Sequence, residues 1–311
     1  LMVHMCPVPA KLLDAAPRLK AVLVNRGGME NVDIPAATER GIAVLNNPAH
    51  NANSVAELTI ALMLSETRNL ARTHRNLMEG RWVENYRNAG HVFDLRGRTV
   101  GLLGFGNIGP LVARKLQAFD CEIRVWDPFI SPDKPELALY GCRLVDKETA
   151  LDSDIVSLHV RSDSQVLTRE DIAKLKPGCY FINTARPHLI DNQALYEALR
   201  DGRVMGAAFD VFMEEPISPD NPYLTLDNVT LSNHRGGVTE NCYSDSPAFL
   251  LGEMENYRAG RPVRFFVNER ELAAQIDTCM QHPGLVRKAG FCYHVLKKTA
   301  QAPSQKERKH E

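Results

Sequence analysis

Apolar residues in this chain recur in short continuous runs separated by stretches of helical spacing. That pattern belongs to a parallel sheet covered by helices. Residues 1–8, 20–25 (KAVLVN) and 42–45 read as strands, with helices over 11–19 and 36–40, the second ended by Gly41. This predicts a small βαβα unit. Residues 54–78 read as one long helix, opened by a capping box at Ser54 and Glu57 and closed by Gly80. Its first half is apolar on nearly every side and is predicted buried; its second half is polar and basic. Such a change suits a spine between two domains or a subunit contact.

After Gly97 the strand–helix alternation resumes and continues to about residue 240. Val100, Leu102 and Leu103 form a buried-strand run that enters Gly104-Phe105-Gly106-Asn107-Ile108-Gly109. Ile108, Val112 and Leu116 then recur on one helix face, and Ile123 and Val125 make the next strand, ending at Asp127. Further strands are read at 154–159, 179–183, 204–211 and 229–232, with helices at 169–175 and 192–200, the latter capped by Asp191 and stopped by Gly202. A helix from 242, an extended piece at 263–268 and a mobile basic tail over 283–311 complete the chain. The expected fold class is α/β, a doubly wound parallel sheet with a second, smaller domain, and ligands at the carboxyl ends of the strands.

The glycine turn carries the first chemistry. Gly104 suits a tight turn, Gly106 a close backbone approach to a pyrophosphate, and Gly109 close packing of helix on strand. Asp127 stands 18 residues past Gly109, where an acid can take both ribose hydroxyls of NAD and repel the 2′-phosphate of NADP. Strand, glycines, helix, second strand and terminal acid all agree, which a lone GxGxxG does not provide.

Composition adds bounds rather than direction. The 311 residues suffice for two domains, and the net charge of −1 gives no global field that would draw nucleic acid or an anionic membrane. Seven scattered cysteines without a CxxC pair read as reduced thiols of a cytoplasmic protein, and no metal site is expected. No apolar run approaches the roughly 20 residues of a membrane helix.

Three ionisable residues follow strands of the nucleotide domain: Arg186, Glu215 and His234. Each alone has a plain reading as a surface arginine, a turn acid before Pro216, or a loop histidine. Their joint placement is what suggests chemistry. His234 can exchange a proton near neutral pH, Glu215 can orient it and favour its charged form, and Arg186 can hold a carboxylate with two prongs. His159, which ends DIVSLH, is the rival histidine and is read as structural or as lining the cofactor edge.

The chain resembles the D-isomer-specific 2-hydroxyacid dehydrogenases, the group that includes phosphoglycerate dehydrogenases. The resemblance covers roughly residues 5–270, through ERGIAVLNNP, NSVAELTIALML, LRGRTVGLLGFGNIG, LKPGCYFINTAR, LIDNQALYEALRDGRVMGAAFDVF and LDNVTLSNHRGG. It implies a Rossmann domain over 74–249, a flavodoxin-like substrate domain over 1–73 and 250–272, and a tail from 273. It implies an NAD-dependent oxidoreductase acting between a D-2-hydroxy acid and a 2-oxo acid, in a homodimer, with no membrane or nucleic-acid partner. Arg186, Glu215 and His234 become the substrate arginine, the acid partner and the acid/base. Asn107 and Ile108 meet the pyrophosphate, and Asp127 the adenosine ribose. Thr184, Ala185, Asp210, Gly236 and Gly237 line the nicotinamide side. Arg26, Gly27 and Gly28 form the substrate-carboxylate loop, and Asn51 faces the pocket.

Some positions depart from the family pattern. Pro187 stands where glycine is usual, and Asn233 and Arg235 flank His234 in place of proline and an apolar residue. The family's first strand and helix have no counterpart before Leu1, so the substrate domain is expected to be truncated at its N-terminus. These departures leave two other readings: an NAD(H)-sensing binding protein resembling the family's corepressors, or a catalytically impaired homologue.

Overall fold

The computed structural model describes residues 1–281. Its strands are β1 (Met2–Val3), β2 (Ala21–Val24), β3 (Ala43–Asn46), β4 (Thr99–Leu103), β5 (Glu122–Trp126), β6 (Cys142–Leu144), β7 (Ile155–Leu158), β8 (Cys179–Asn183), β9 (Val204–Phe209) and β10 (Val229–Leu231). Its helices are α1 (Ala10–Asp14), α2 (Ile34–Glu39), α3 (Ala52–Thr67), α4 (Leu70–Met78), α5 (Gly109–Leu116), α6 (Pro135–Leu139), α7 (Lys147–Leu151), α8 (Arg169–Ala173), α9 (Asn192–Arg200), α10 (Glu240–Ala259) and α11 (Glu269–Gln281). The described chain divides into two compact units: Leu1–His50 with the described residues from Thr239 onward, and Asn51–Val238. The divisions that the family resemblance implies are 73/74 and 249/250. The buried face of α3 packs on α5, β8 and β9, and Leu250 and Tyr257 of α10 pack beside β2 and β3.

In the first unit, β1, β2 and β3 form a parallel sheet in that order. Alternation along the strands sends Val22, Val24 and Val44 to a core with Leu13 and Ala37, and sends Ala21, Leu23, Ala43 and Leu45 to a second core with Leu250, Tyr257 and Leu272. Residues 265–268 cover the free edge of β3. Buried Asn268 accepts from Val44 N (2.9 Å) and donates to Ile42 O (3.0 Å) and Thr38 Oγ1 (2.8 Å). The strand expected over 1–8 is reduced to Met2–Val3 plus a bridge from Val8 to Val32, because Pro7 has no N–H for a ladder. The segment expected as a tail from 273 starts inside α11, which buries Leu272; residues 283–311 lie outside the described residues.

In the second unit, seven parallel strands run in the order β10-β9-β8-β7-β4-β5-β6. The sheet is thus the Rossmann-type doubly wound one, and its order reverses between β4 and β7. Tyr180 and Ile182 of β8 enter one core with Val100, Leu102 and Ile155. Cys179 and Phe181 enter the other with Val156 and Leu158. Burial on both faces explains why these strands read as continuous apolar runs.

The helix expected over 54–78 is two helices. Asn69 sits at φ 58° between α3 and α4, a left-handed conformation that breaks the ladder. Glu66 before the break and Arg72 after it are both buried and paired, Thr230 Oγ1 donates to Glu66 Oε2 (2.6 Å), and Arg72 donates to Asn69 Oδ1. Nor do Ser54 and Glu57 form the helix start. α3 begins at Ala52 after Asn51, Ser54 lies within it, and Glu57 accepts from the Asn53 amide (2.8 Å).

Candidate active site

β4 delivers the chain into the glycine turn at the point where the strand order reverses. Gly104 has φ 99°, and a Cβ there would lie 2.7 Å from the carbonyl of His159, so this turn demands glycine. A Cβ on Gly109 would lie 2.3 Å from the Gly104 oxygen, which fixes the close approach of α5. Gly106 differs from both. Its φ is not left-handed, and a Cβ there would meet nothing within 4 Å. Nothing in the chain's own packing requires glycine at 106. The open backbone beside the start of α5 fits the approach of a pyrophosphate. Asn107 is exposed, and Ile108 is the residue before α5.

Asp127, at the end of β5, accepts from Phe105 N through Oδ2 (2.8 Å) and from Phe129 N through Oδ1 (2.9 Å). It therefore ties the glycine turn to the next strand. Each oxygen retains a lone pair, so ribose hydroxyls can still be accepted. His159 is buried, and burial pushes its ring down to about 3, so it is neutral. Its Nε2 shares a hydrogen bond with Ser157 Oγ (3.0 Å), and its backbone is the wall against which Gly104 is pressed.

Three strand ends bring the ionisable residues forward. After β8, the Asn183 amide braces the loop from both sides, accepting from Ala185 N (3.0 Å) and donating to Arg186 O (3.1 Å). Arg186 itself is exposed and donates to Ala185 O (2.7 Å). Pro187 falls at the first position of a short 3₁₀ turn, where a missing N–H costs little. Thr184 is buried and shares a hydrogen bond with Thr59 Oγ1 of α3 (2.8 Å).

After β9, Asp210 is buried and accepts two backbone bonds from the loop after β10: Arg235 N (2.8 Å) and Gly236 N (2.9 Å). That grip holds His234 at φ 55°, a conformation disfavoured for any residue with a Cβ. His234 Nδ1 lies 2.7 Å from Glu215 Oε2, and Glu215 Oε1 accepts from Phe212 N (3.0 Å). Burial pulls the Glu215 carboxyl upward. The hydrogen bonds from His234 and Phe212 and the charges of His234 and Arg186 outweigh it and hold the group below its ordinary value. An ionised carboxylate only accepts, so Nδ1 carries the proton and Nε2 is left for a substrate. Gly237 backs against Asn51, whose Nδ2 would lie 2.8 Å from a Cβ there.

The remaining expected residues lie in the first unit. Arg26 pairs with Glu30 (3.4 Å) and donates to Met5 Sδ (3.3 Å), while Gly27 backs onto Pro48. Asn183 and Thr59 were not singled out in the sequence. A polar residue closing the apolar strand CYFIN was the available signal for Asn183; a mid-helix threonine gives none.

Residues 60–236 match the family described as D-isomer specific 2-hydroxyacid dehydrogenase, NAD binding domain. A D-3-phosphoglycerate dehydrogenase of Archaeoglobus fulgidus is 38% identical over 265 residues, 84% of this chain and 49% of that protein. A hydroxypyruvate reductase of Thermotoga maritima is 41% identical over 238 residues, 75% of each chain. A solved 2-hydroxyacid dehydrogenase structure from Ketogulonicigenium vulgare shares the fold with a TM-score of 0.71 and 29% identity, covering 86% of this chain and 83% of that one. This chain spans about half the length of the phosphoglycerate dehydrogenases it matches. The glycine turn, the acid at the end of β5 and these matches agree: the chain belongs to the D-isomer specific 2-hydroxyacid dehydrogenase family and carries its NAD-binding domain.

Proposed function

We propose that this protein is an NAD-dependent oxidoreductase interconverting a D-2-hydroxy acid and a 2-oxo acid. The observation that carries the proposal is the His234–Glu215 pair, held at 2.7 Å in the same unit as Arg186 and the glycine turn. NAD would be held by the turn of Gly104, Gly106, Asn107, Ile108 and Gly109 and by Asp127, with His159, Thr184, Ala185, Asp210, Gly236 and Gly237 lining its nicotinamide side. Bound there, it supplies or accepts the hydride of the reaction.

The protein's own part is binding and proton transfer. Arg186 presents a guanidinium to the substrate carboxylate and keto oxygen. His234 Nε2 gives a proton to that oxygen in reduction and takes it back in oxidation. Glu215 keeps Nδ1 protonated and stabilises the imidazolium. Asp210 acts one step away, fixing the loop that presents His234. Arg26, Gly27, Gly28 and Asn51 are proposed as substrate contacts on the family resemblance alone.

The proposal extends to a cytoplasmic homodimer. Cys6, Cys121, Cys142, Cys179 and Cys242 form no disulfide, and no helix among the described residues is long and apolar enough to cross a membrane. Leu70, Leu77, Met78 and Trp82 project into solvent from α4 and the segment after it, Met78 at 75% and Trp82 at 80% exposure. Exposed apolar side chains so close together suit a subunit contact. Light scattering on the purified chain tests this: a monomer at all concentrations contradicts it. Activity is tested by NADH oxidation with 2-oxo acids, comparing the wild type with His234→Ala and Arg186→Ala. Full turnover in both variants would remove the assignment.

A further inference from the structure

The three strands of the first unit end at one edge of their sheet, and polar residues follow each of them. His4 follows β1, Asn25 and Arg26 follow β2, and Asn47 and His50 follow β3. The strand order places β2 in the middle, so the loop Arg26-Gly27-Gly28 leaves the sheet between the two histidines. They meet there: the rings of His4 and His50 lie 6.2 Å apart, edge to face. The carboxyl edge of a parallel sheet is where such folds take their ligands.

His4 Nδ1 donates to Asn25 O (2.7 Å), because a carbonyl only accepts. Nε2 of the neutral ring is thereby left as an acceptor on an exposed residue. Burial above all, and then the charges of His4 and Arg26, hold the His50 ring below its ordinary value against the pull of the Asn47 backbone, so it stands neutral. Two sheltered atoms here have no hydrogen-bond partner: His50 Nδ1, and Oδ1 of Asn25, a residue only 9% exposed. Sheltered polar atoms are ordinarily paired, so two unpaired ones beside this loop mark a polar site that a ligand completes. The formal charges are already balanced. Arg26 pairs with Glu30 (3.4 Å), and both lie over Gly28, where a Cβ would come 2.7 Å from Arg26 Nη2 and 2.5 Å from Glu30 Oε2. A phosphate would meet the Glu30 carboxylate; a hydroxyl can donate to an acceptor and accept from Arg26.

We propose that His4, Asn25 and His50 form a subsite that reads a free hydroxyl group on the substrate, so that the preferred acid carries a hydroxylated chain rather than a phosphate or a bare alkyl chain. This rests on the dehydrogenase assignment and on the Arg26-Gly27-Gly28 loop as a substrate contact. His4 Nε2 accepts from the hydroxyl, and Asn25 Oδ1 offers an acceptor to a second one. His50 sets the angle of the His4 ring, and the Arg26–Glu30 pair keeps a second negative charge out.

Calorimetric titration of the full chain saturated with NADH tests this with D-glycerate, with D-lactate, which lacks the far hydroxyl, and with D-3-phosphoglycerate, in which that hydroxyl is esterified. D-glycerate should bind at least about fivefold more tightly than D-lactate, the scale of one hydrogen bond, and more tightly than the phosphate ester. His4→Phe, at an exposed position, brings the glycerate-to-lactate ratio to about one. Should that variant misfold, His50→Phe reports the same loss. Glu30→Gln, also exposed, narrows the gap to D-3-phosphoglycerate. The proposal is overturned if the wild type binds D-glycerate and D-lactate alike, binds none of the acids, or prefers the phosphate ester. It is also overturned if the ratio survives both histidine substitutions. Turnover of the matching 2-oxo acids separates the subsite from the activity. A preference for D-glycerate without turnover supports the subsite and contradicts the dehydrogenase reading; turnover without that preference contradicts the subsite alone.

Discussion

His234 Nδ1 donates to Glu215 Oε2 at 2.7 Å, across a loop that Asp210 holds from below through two backbone N–H groups. The pair is open to solvent, with 49% and 36% of the two side chains exposed, so its worth lies in orientation rather than in stability. Glu215→Gln should lower kcat/KM by about 10²–10⁴-fold while NADH affinity holds, because the amide can donate to Nδ1 and favour the wrong tautomer. Stopped-flow turnover and fluorescence titration of NADH measure the two quantities.

The pH dependence follows from the direction of the Glu215 shift. Its folded-state carboxyl lies below the ordinary value, so its contribution to stability is complete above about pH 4.3 and fades as pH falls through the folded value. Glu215→Gln should lower stability slightly above that pH and not below the folded value, so the acid side of the profile flattens while its slope above about pH 6 is unchanged. Thermal unfolding scanned against pH checks the sign.

The proposed role of Asp210 is to position the His234 loop. Asp210→Ala leaves two buried-side N–H groups unpaired, each worth about 1–3 kcal/mol, and releases His234 from its left-handed conformation. Unfolding should shift down, and kcat should fall more than KM rises.

The glycines of the turn should separate folding from binding. Gly104→Ala forces a Cβ against the His159 backbone at φ 99° and should cost at least about 1–3 kcal/mol of stability. Gly106→Ala meets nothing and should stay within about 0.5 kcal/mol of wild type, yet weaken NADH by about tenfold or more. Equal loss of stability in both variants would contradict the reading of the turn.

Removing one partner of the Glu66–Arg72 pair strands a buried charge. Glu66→Ala should destabilise by about 3–5 kcal/mol, and the double change Glu66→Leu with Arg72→Met by much less. Denaturant unfolding of the two variants beside the wild type decides it.

Much of this was legible because the chain uses strong local signals. Asp191 caps α9 as read, its Oδ1 accepting from Ala194 N, and Cys179–Asn183 is a strand with the expected bounds. The glycine turn and its terminal acid were legible for the same reason: backbone geometry restricts the residues allowed. The break between α3 and α4 was not, because Asn69 turns the chain only with Glu66 and Arg72 paired around it, a tertiary event that helical periodicity hides. The grip of Asp210 on the His234 loop likewise joins residues 25 or more apart. Pro187, a departure from the family's glycine, starts a 3₁₀ turn that the local sequence does not signal.

The central claim is that Arg186, Glu215 and His234 turn over a 2-oxo acid with NADH. Its most direct test is NADH oxidation, followed by absorbance, across glyoxylate, hydroxypyruvate, pyruvate, 2-oxoglutarate and phosphohydroxypyruvate, with His234→Ala and Arg186→Ala beside the wild type. The account predicts a clear preference for one acid, abolished in both variants while NADH still binds. Silence across the panel with NADH binding intact, or turnover that survives both substitutions, would contradict it.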